Sequence, residues 1–117
     1  MILDDSDILQ AVSDSQRLAG GPAVLPPSLQ NTIPHCHRRA FNDIVGLLIS
    51  RKYTLAQIEE WDDMVSYERD LSLYYVFTSP QGQGRYDKES MASWDIRPQL
   101  KTLTLVIAGV FTSPNTA

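Results

Sequence analysis

Apolar residues recur along most of this chain at the three- and four-residue spacing of helices. Ile8, Leu9 and Val12 form a first short stripe. An aspartate at position 4 or 5 is placed to accept from the free amides of the first turn, and Asp7 is favourable at the positive end of the dipole. Gly20-Gly21-Pro22 cannot continue a helix cheaply, so the pattern predicts a helix over 5–18 and a loop over 19–28. A second apolar face is carried by Leu29 and then by positions 33, 37, 40, 44, 47 and 51. Pro34 suits a first turn and would kink a helix already begun at Ser28, so the start is expected near Thr32 or Ile33, after a separate turn. Gly46 in the middle of that helix costs about 1 kcal/mol relative to alanine, which a close helix crossing would explain.

Thr54 with Gln57 three residues on is a capping-box pattern, and Leu55, Ile58, Trp61 and Val65 supply the stripe after it. One helix over 55–77 is expected, closed by Ser79-Pro80 and the Gln81-Gly82-Gln83-Gly84 run. Residues 80–97 are polar and irregular, with a short helix across Lys88–Trp94. Pro98 opens a final helix with Leu100, Leu103 and Ile107 on its apolar face and Gly109 as its cap. The β-branched Thr102, Thr104 and Val106 keep a strand over 103–111 as the competing reading. The expected fold is all-α: a small antiparallel bundle of about four helices over 1–109, with 33–52 paired against 55–77. An extended C-terminal tail over 110–117 follows. Val110 and Phe111 are apolar on a tail without period or charge, which reads as a docking peptide.

A length of 117 residues suits one domain, and 43% hydrophobic with 21% charged residues argues against global disorder. The net charge of −4 leaves no footprint for nucleic acid or an anionic membrane. The acids are clustered at Asp4, Asp5, Asp7 and Asp14 and again at Glu59, Glu60, Asp62, Asp63, Glu68 and Asp70, and are read as solvated faces. A single cysteine, Cys36, excludes an internal disulfide, and the acidic start lacks the pattern of a secretory leader. The apolar runs at 45–49 and 103–110 are far short of the ~20 residues that span a bilayer. A soluble protein made in the cytoplasm is expected.

Candidate chemistry is sparse. His35-Cys36-His37 is the one cluster of metal-ligand types, but on a helix the two histidines point about 200° apart. No second Cys or His pair completes a tetrahedral site, so no metal and no cofactor is expected. Cys36 has no identifiable orienting or oxyanion group, and a buried thiol is the default. Gln81-Gly82-Gln83-Gly84-Arg85 lacks the Lys-Ser/Thr ending of a phosphate loop. Nothing apolar surrounds Glu59-Glu60 and Asp62-Asp63 to raise a carboxyl pKa. Arg38-Arg39 and Arg51-Lys52 are two small basic spots, and the aromatics Trp61, Tyr67, Tyr74 and Tyr75 read as core or interface residues. No catalytic residue is identified, and an enzyme is not expected.

The order Ala40…Ile44-x-Gly46-x-Leu48…Arg51-Lys52-Tyr53-x-Leu55, followed by Asp70-Leu71-Ser72-Leu73-Tyr74 and by Leu100…Leu103…Ile107-Ala108-Gly109, resembles the head–tail adaptor (neck connector) proteins of Mu-like and related tailed phages. Lys52 between Arg51 and Tyr53 departs from that pattern, as does the segment 80–97. The resemblance implies a virion protein made in the host cytoplasm. It would form a homo-oligomeric ring, a dodecamer, beneath the portal protein. That ring would extend the DNA channel without sequence-specific binding and receive the tail or a stopper or terminator protein. It further implies that Val110, Phe111, Thr112, Ser113 and Pro114 grip the portal. Glu59, Glu60, Asp62, Asp63, Arg38, Arg39, Arg51 and Lys52 would line the lumen or the subunit interface. The alternative is a small helical protein-interaction or regulatory domain binding one partner.

Overall fold

Six helical segments follow one another in the computed structural model, which describes residues 2–18, 25–82 and 88–102. They are α1 (Asp5–Leu18), α2 (Pro27–Ile49), α3 (Leu55–Glu60), α4 (Met64–Thr78), α5 (Lys88–Ala92) and α6 (Arg97–Thr102). No strand occurs among the described residues, and the architecture is an all-α bundle, as the apolar spacing predicts. The expected tail over 110–117, the cap at Gly109 and the choice between helix and strand over 103–111 lie outside the described residues.

The first helix begins where its acids place it. The Asp4 amide donates to Asp7 Oδ2 at 2.9 Å while the Asp7 amide donates to the Asp4 carbonyl at 3.0 Å, a reciprocal closure of the first turn. Ile8, Val12 and Gln16 are the residues that α1 buries.

The second helix starts earlier than expected, at Pro27 rather than near Thr32. Pro26 holds the extended cap conformation and Pro27 takes the first helical position, where its missing N–H is no loss. The added turn places Leu29 in the core at 0% exposure beside Leu25 at 3%. Pro34 therefore sits inside the helix. It removes a backbone bond at a cost of roughly 3 kcal/mol, offset here by burial of Leu29 and Ile33 on either side. No helix crosses at Gly46, contrary to expectation: a Cβ built there meets nothing within 4 Å, and the glycine lies on an open cleft wall. Past Ile49 the chain turns through Lys52, whose φ of 72° is left-handed, and Tyr53 is buried beneath the turn.

The capping box forms in full. The Thr54 amide donates to Gln57 Oε1 at 2.9 Å, and the Gln57 amide donates to Thr54 Oγ1 at 3.2 Å. The single helix expected over 55–77 does not form. Trp61 adopts an extended conformation with ψ of 123°, which splits the segment into α3 and α4. Unbroken, Glu59, Glu60, Asp62 and Asp63 would crowd four like charges onto one stretch of helix. The break places Asp62 and Asp63 at the positive end of α4 instead. It also shifts the apolar phase, so Leu55 and Val65 are exposed where burial was expected, and Met64 is buried in their stead. The return leg beside α2 is thus short. It is made by α3, and after Trp61 the chain turns again. The contacts of α4 then advance in step with those of α2, His37 meeting Glu68 and Asp43 meeting Tyr75, so α4 runs in the same sense as α2.

With α1, α2, α3 and α5 all packed on it, α4 is the central element. Leu71, Val76 and Phe77 are each 0% exposed there. It ends at Ser79 as Ser79-Pro80 predicts, and the following turn tucks Gly82 against it. A Cβ on Gly82 would stand 2.1 Å from the Val76 carbonyl oxygen and 2.8 Å from Phe77 Cα, both backbone atoms. Gly82→Ala is therefore expected to destabilise the fold by about 1–3 kcal/mol in a denaturant melt. An unchanged midpoint would contradict this packing.

Candidate functional site

The structure separates residues that the sequence groups. His35 is exposed, Cys36 is buried and the His37 ring is fully buried, correcting the expectation that both histidines stand partly in solvent. Among the described residues no group of His, Cys, Asp and Glu side chains could hold a metal ion. Burial pushes the Cys36 thiol above its ordinary pKa, more than Arg39 pulls it down, so it stays protonated and a poor nucleophile.

Glu68 is the larger correction. Its place in the acidic run reads as solvated, yet it is 0% exposed. Its Oε2 meets His37 Nε2 at 2.7 Å and accepts from the Leu3 amide at 2.9 Å, while Oε1 accepts from the Ile2 amide at 3.2 Å. The other ring nitrogen, His37 Nδ1, lies 2.8 Å from Asp5 Oδ1. One imidazole thus joins the first turn of α1, the middle of α2 and the first turns of α4. Burial alone would lower the His37 pKa, but the hydrogen bonds to Glu68 and Asp5, with their charges, raise it above the ordinary value of 6.5. The sequence signal was present though faint: a histidine and a glutamate each standing within an apolar stripe, at 33-37-40-44 and 64-68-71-75.

A second cluster, unmarked in the sequence, gathers where α2, α4 and α6 meet. The Tyr75 hydroxyl donates to Asp43 Oδ2, and the Arg39 guanidinium lies 4.1 Å from the centre of the Tyr75 ring. Arg97 grips Asp95 through two bonds of 2.8 and 2.9 Å and stacks 5.4 Å from the Tyr74 ring. The bond from Arg97 holds the Asp95 carboxyl below the usual range, against burial. Burial, then the bond to Asp43, pushes the Tyr75 hydroxyl up to about 12, so Tyr75 is a donor and not a base. Beside this cluster opens a cleft of about 590 Å³ floored by Gly46 and lined by Asp43, Leu47, Arg97 and Lys101. It holds no nucleophile–base pair, and what it offers is shape and hydrogen bonding.

The residues expected to meet neighbouring subunits are placed as follows. Glu59, Glu60, Asp62 and Asp63 are all exposed and share one corner between α3 and α4, and none makes an ion pair among the described residues. Arg38 and Lys52 are exposed, as is Arg39, whose guanidinium is engaged with Tyr75. Arg51 is partly buried and donates to the Lys101 carbonyl, so it ties α6 to the end of α2. The structure therefore does not bring Arg38-Arg39 and Arg51-Lys52 into one basic surface. Val110, Phe111, Thr112, Ser113 and Pro114 lie outside the described residues. No helix among the described residues is long and apolar enough to cross a membrane. Compared with protein-family models, with curated proteins and with solved structures, the chain matches none.

Proposed function

We propose that this chain is a structural head–tail adaptor of a tailed phage, assembling as a ring beneath the portal and receiving the tail or stopper protein. The observation that carries the reading furthest is the acidic corner. Four carboxylates at 59, 60, 62 and 63 stand in solvent without a partner in their own chain. Repeated around a ring, such a corner lines a channel with charge that repels DNA and lets it pass without adhering. Where it meets a neighbouring copy instead, the exposed Arg38 and Lys52 are the cations that answer it. Val110 and Phe111 supply the portal grip, Phe111 as the aromatic anchor of a small contact. The resemblance in the packing residues from Ala40 to Tyr74 supports the same reading.

Reversing the charge at Glu59, Glu60, Asp62 and Asp63 together should impair assembly or DNA passage in a salt-dependent way, since exposed charges are screened. Deleting 110–117 should leave the circular-dichroism helix signal nearly intact and abolish attachment to portal-bearing heads. Normal heads and normal ejection with both variants would overturn the proposal. The cleft between α2 and α6 favours a second reading, a small helical domain that holds a single partner there. Lys101→Glu would then weaken a one-to-one complex and leave any ring unaffected.

A further inference from the structure

We propose that Asp5, His37 and Glu68 form a proton-operated latch that pins the first turn of α1 while His37 is charged and frees it when His37 loses its proton. Both ring nitrogens lie within 2.8 Å of a carboxylate oxygen. An ionised carboxylate only accepts, so a ring bonded at both nitrogens is an imidazolium donating twice. Neutral imidazole has one donor and one lone pair, and the lone pair must then face an anion at hydrogen-bond distance.

The geometry decides which side opens. Glu68 is 0% exposed and is also held by the amides of Ile2 and Leu3, so it keeps the remaining donor at Nε2. Asp5 is 54% exposed and can exchange the ring for water at little cost. The charged groups acting on His37 are Glu68 from α4 and Asp5 from α1, and its neighbours on α2, Arg38 and Arg39, point to solvent. The rest of the α1 attachment is thin, because Ile8, Val12 and Gln16 are its buried residues. The direction follows from linkage. A histidine held above its unfolded value stabilises the fold fully below pH 6.5, and that contribution is lost as pH rises through the folded value. The latch opens on the alkaline side.

The test follows the His37 ring resonances and the exchange protection of backbone amides by NMR on the full chain, from neutral pH upward. In the natural sequence the α1 amides should lose at least about tenfold in protection across the His37 midpoint, the factor equivalent to a tenfold change in proton affinity. Amides of α2 and α4 should hold theirs. In Asp5→Asn the side chain can accept from a charged ring or donate to a neutral one. The α1 loss should vanish there, and the His37 midpoint should fall. The proposal is overturned if α1 protection is unchanged across the midpoint, if α2 and α4 are lost together with it, or if D5N keeps the pH dependence. Should D5N not fold, the first two outcomes in the natural sequence decide.

Discussion

His37→Ala should cost the fold about 3–5 kcal/mol at pH 7, as a shift of the denaturant midpoint, because it strands a buried carboxylate. Glu68 has no solvent exposure, and the imidazole is the group that balances its charge. The amides of Ile2 and Leu3 remain as donors and soften the loss without cancelling it. A loss of this size is a large part of the 5–15 kcal/mol that a domain of roughly this length holds in reserve. The double variant His37→Leu with Glu68→Met removes both polar partners and fills the space with apolar atoms. It should recover most of the stability, since a buried pair is costly to break and nearly neutral to replace. If H37A costs less than about 1 kcal/mol, Glu68 is not held as an anion by the ring.

Phe77→Ala should cost about 3–5 kcal/mol, the range for removing a buried aromatic ring. Phe77 is 0% exposed near the end of the central helix and packs on Trp94, with ring centres 5.5 Å apart and planes at 33°. The pair joins α4 to the α5–α6 segment, where Ile96 and Leu100 are also buried. Emptying it should loosen that segment first. Trp94 emission should therefore shift to the red before far-ultraviolet circular dichroism reports loss of helix. Coincident changes with a cost below about 1 kcal/mol would show that the α5–α6 segment does not depend on this contact.

Elements governed by local chemistry were legible in the sequence. The start of α1 at Asp4-Asp5, the Thr54–Gln57 box and the stop at Ser79-Pro80 each rest on bonds spanning a few residues. The buried face of α2 at 33, 37, 40 and 44 followed from the helical period. What escaped depends on partners far along the chain. Pro34 is tolerated inside a helix because Leu29 is worth burying, which only the assembled core reveals. Glu68 looked like one acid among six until its partner 31 residues earlier was in place. The break at Trp61 combines crowded like charges with burial of the indole, and the helical period across 55–77 passes over it. For the candidate sites, the exposure of the acidic corner was legible. The cleft and the Tyr75 cluster were not, because they arise where α6 docks on α2 and α4.

The central claim is that this chain works by assembling. The most direct test is the mass of the purified 13.1 kDa chain in solution, alone and mixed with the portal protein encoded beside it. The account predicts that portal recruits the chain into a complex of fixed stoichiometry matching the portal's symmetry, and that this complex weakens with salt. A chain that stays monomeric or dimeric at every concentration and never joins portal would contradict it.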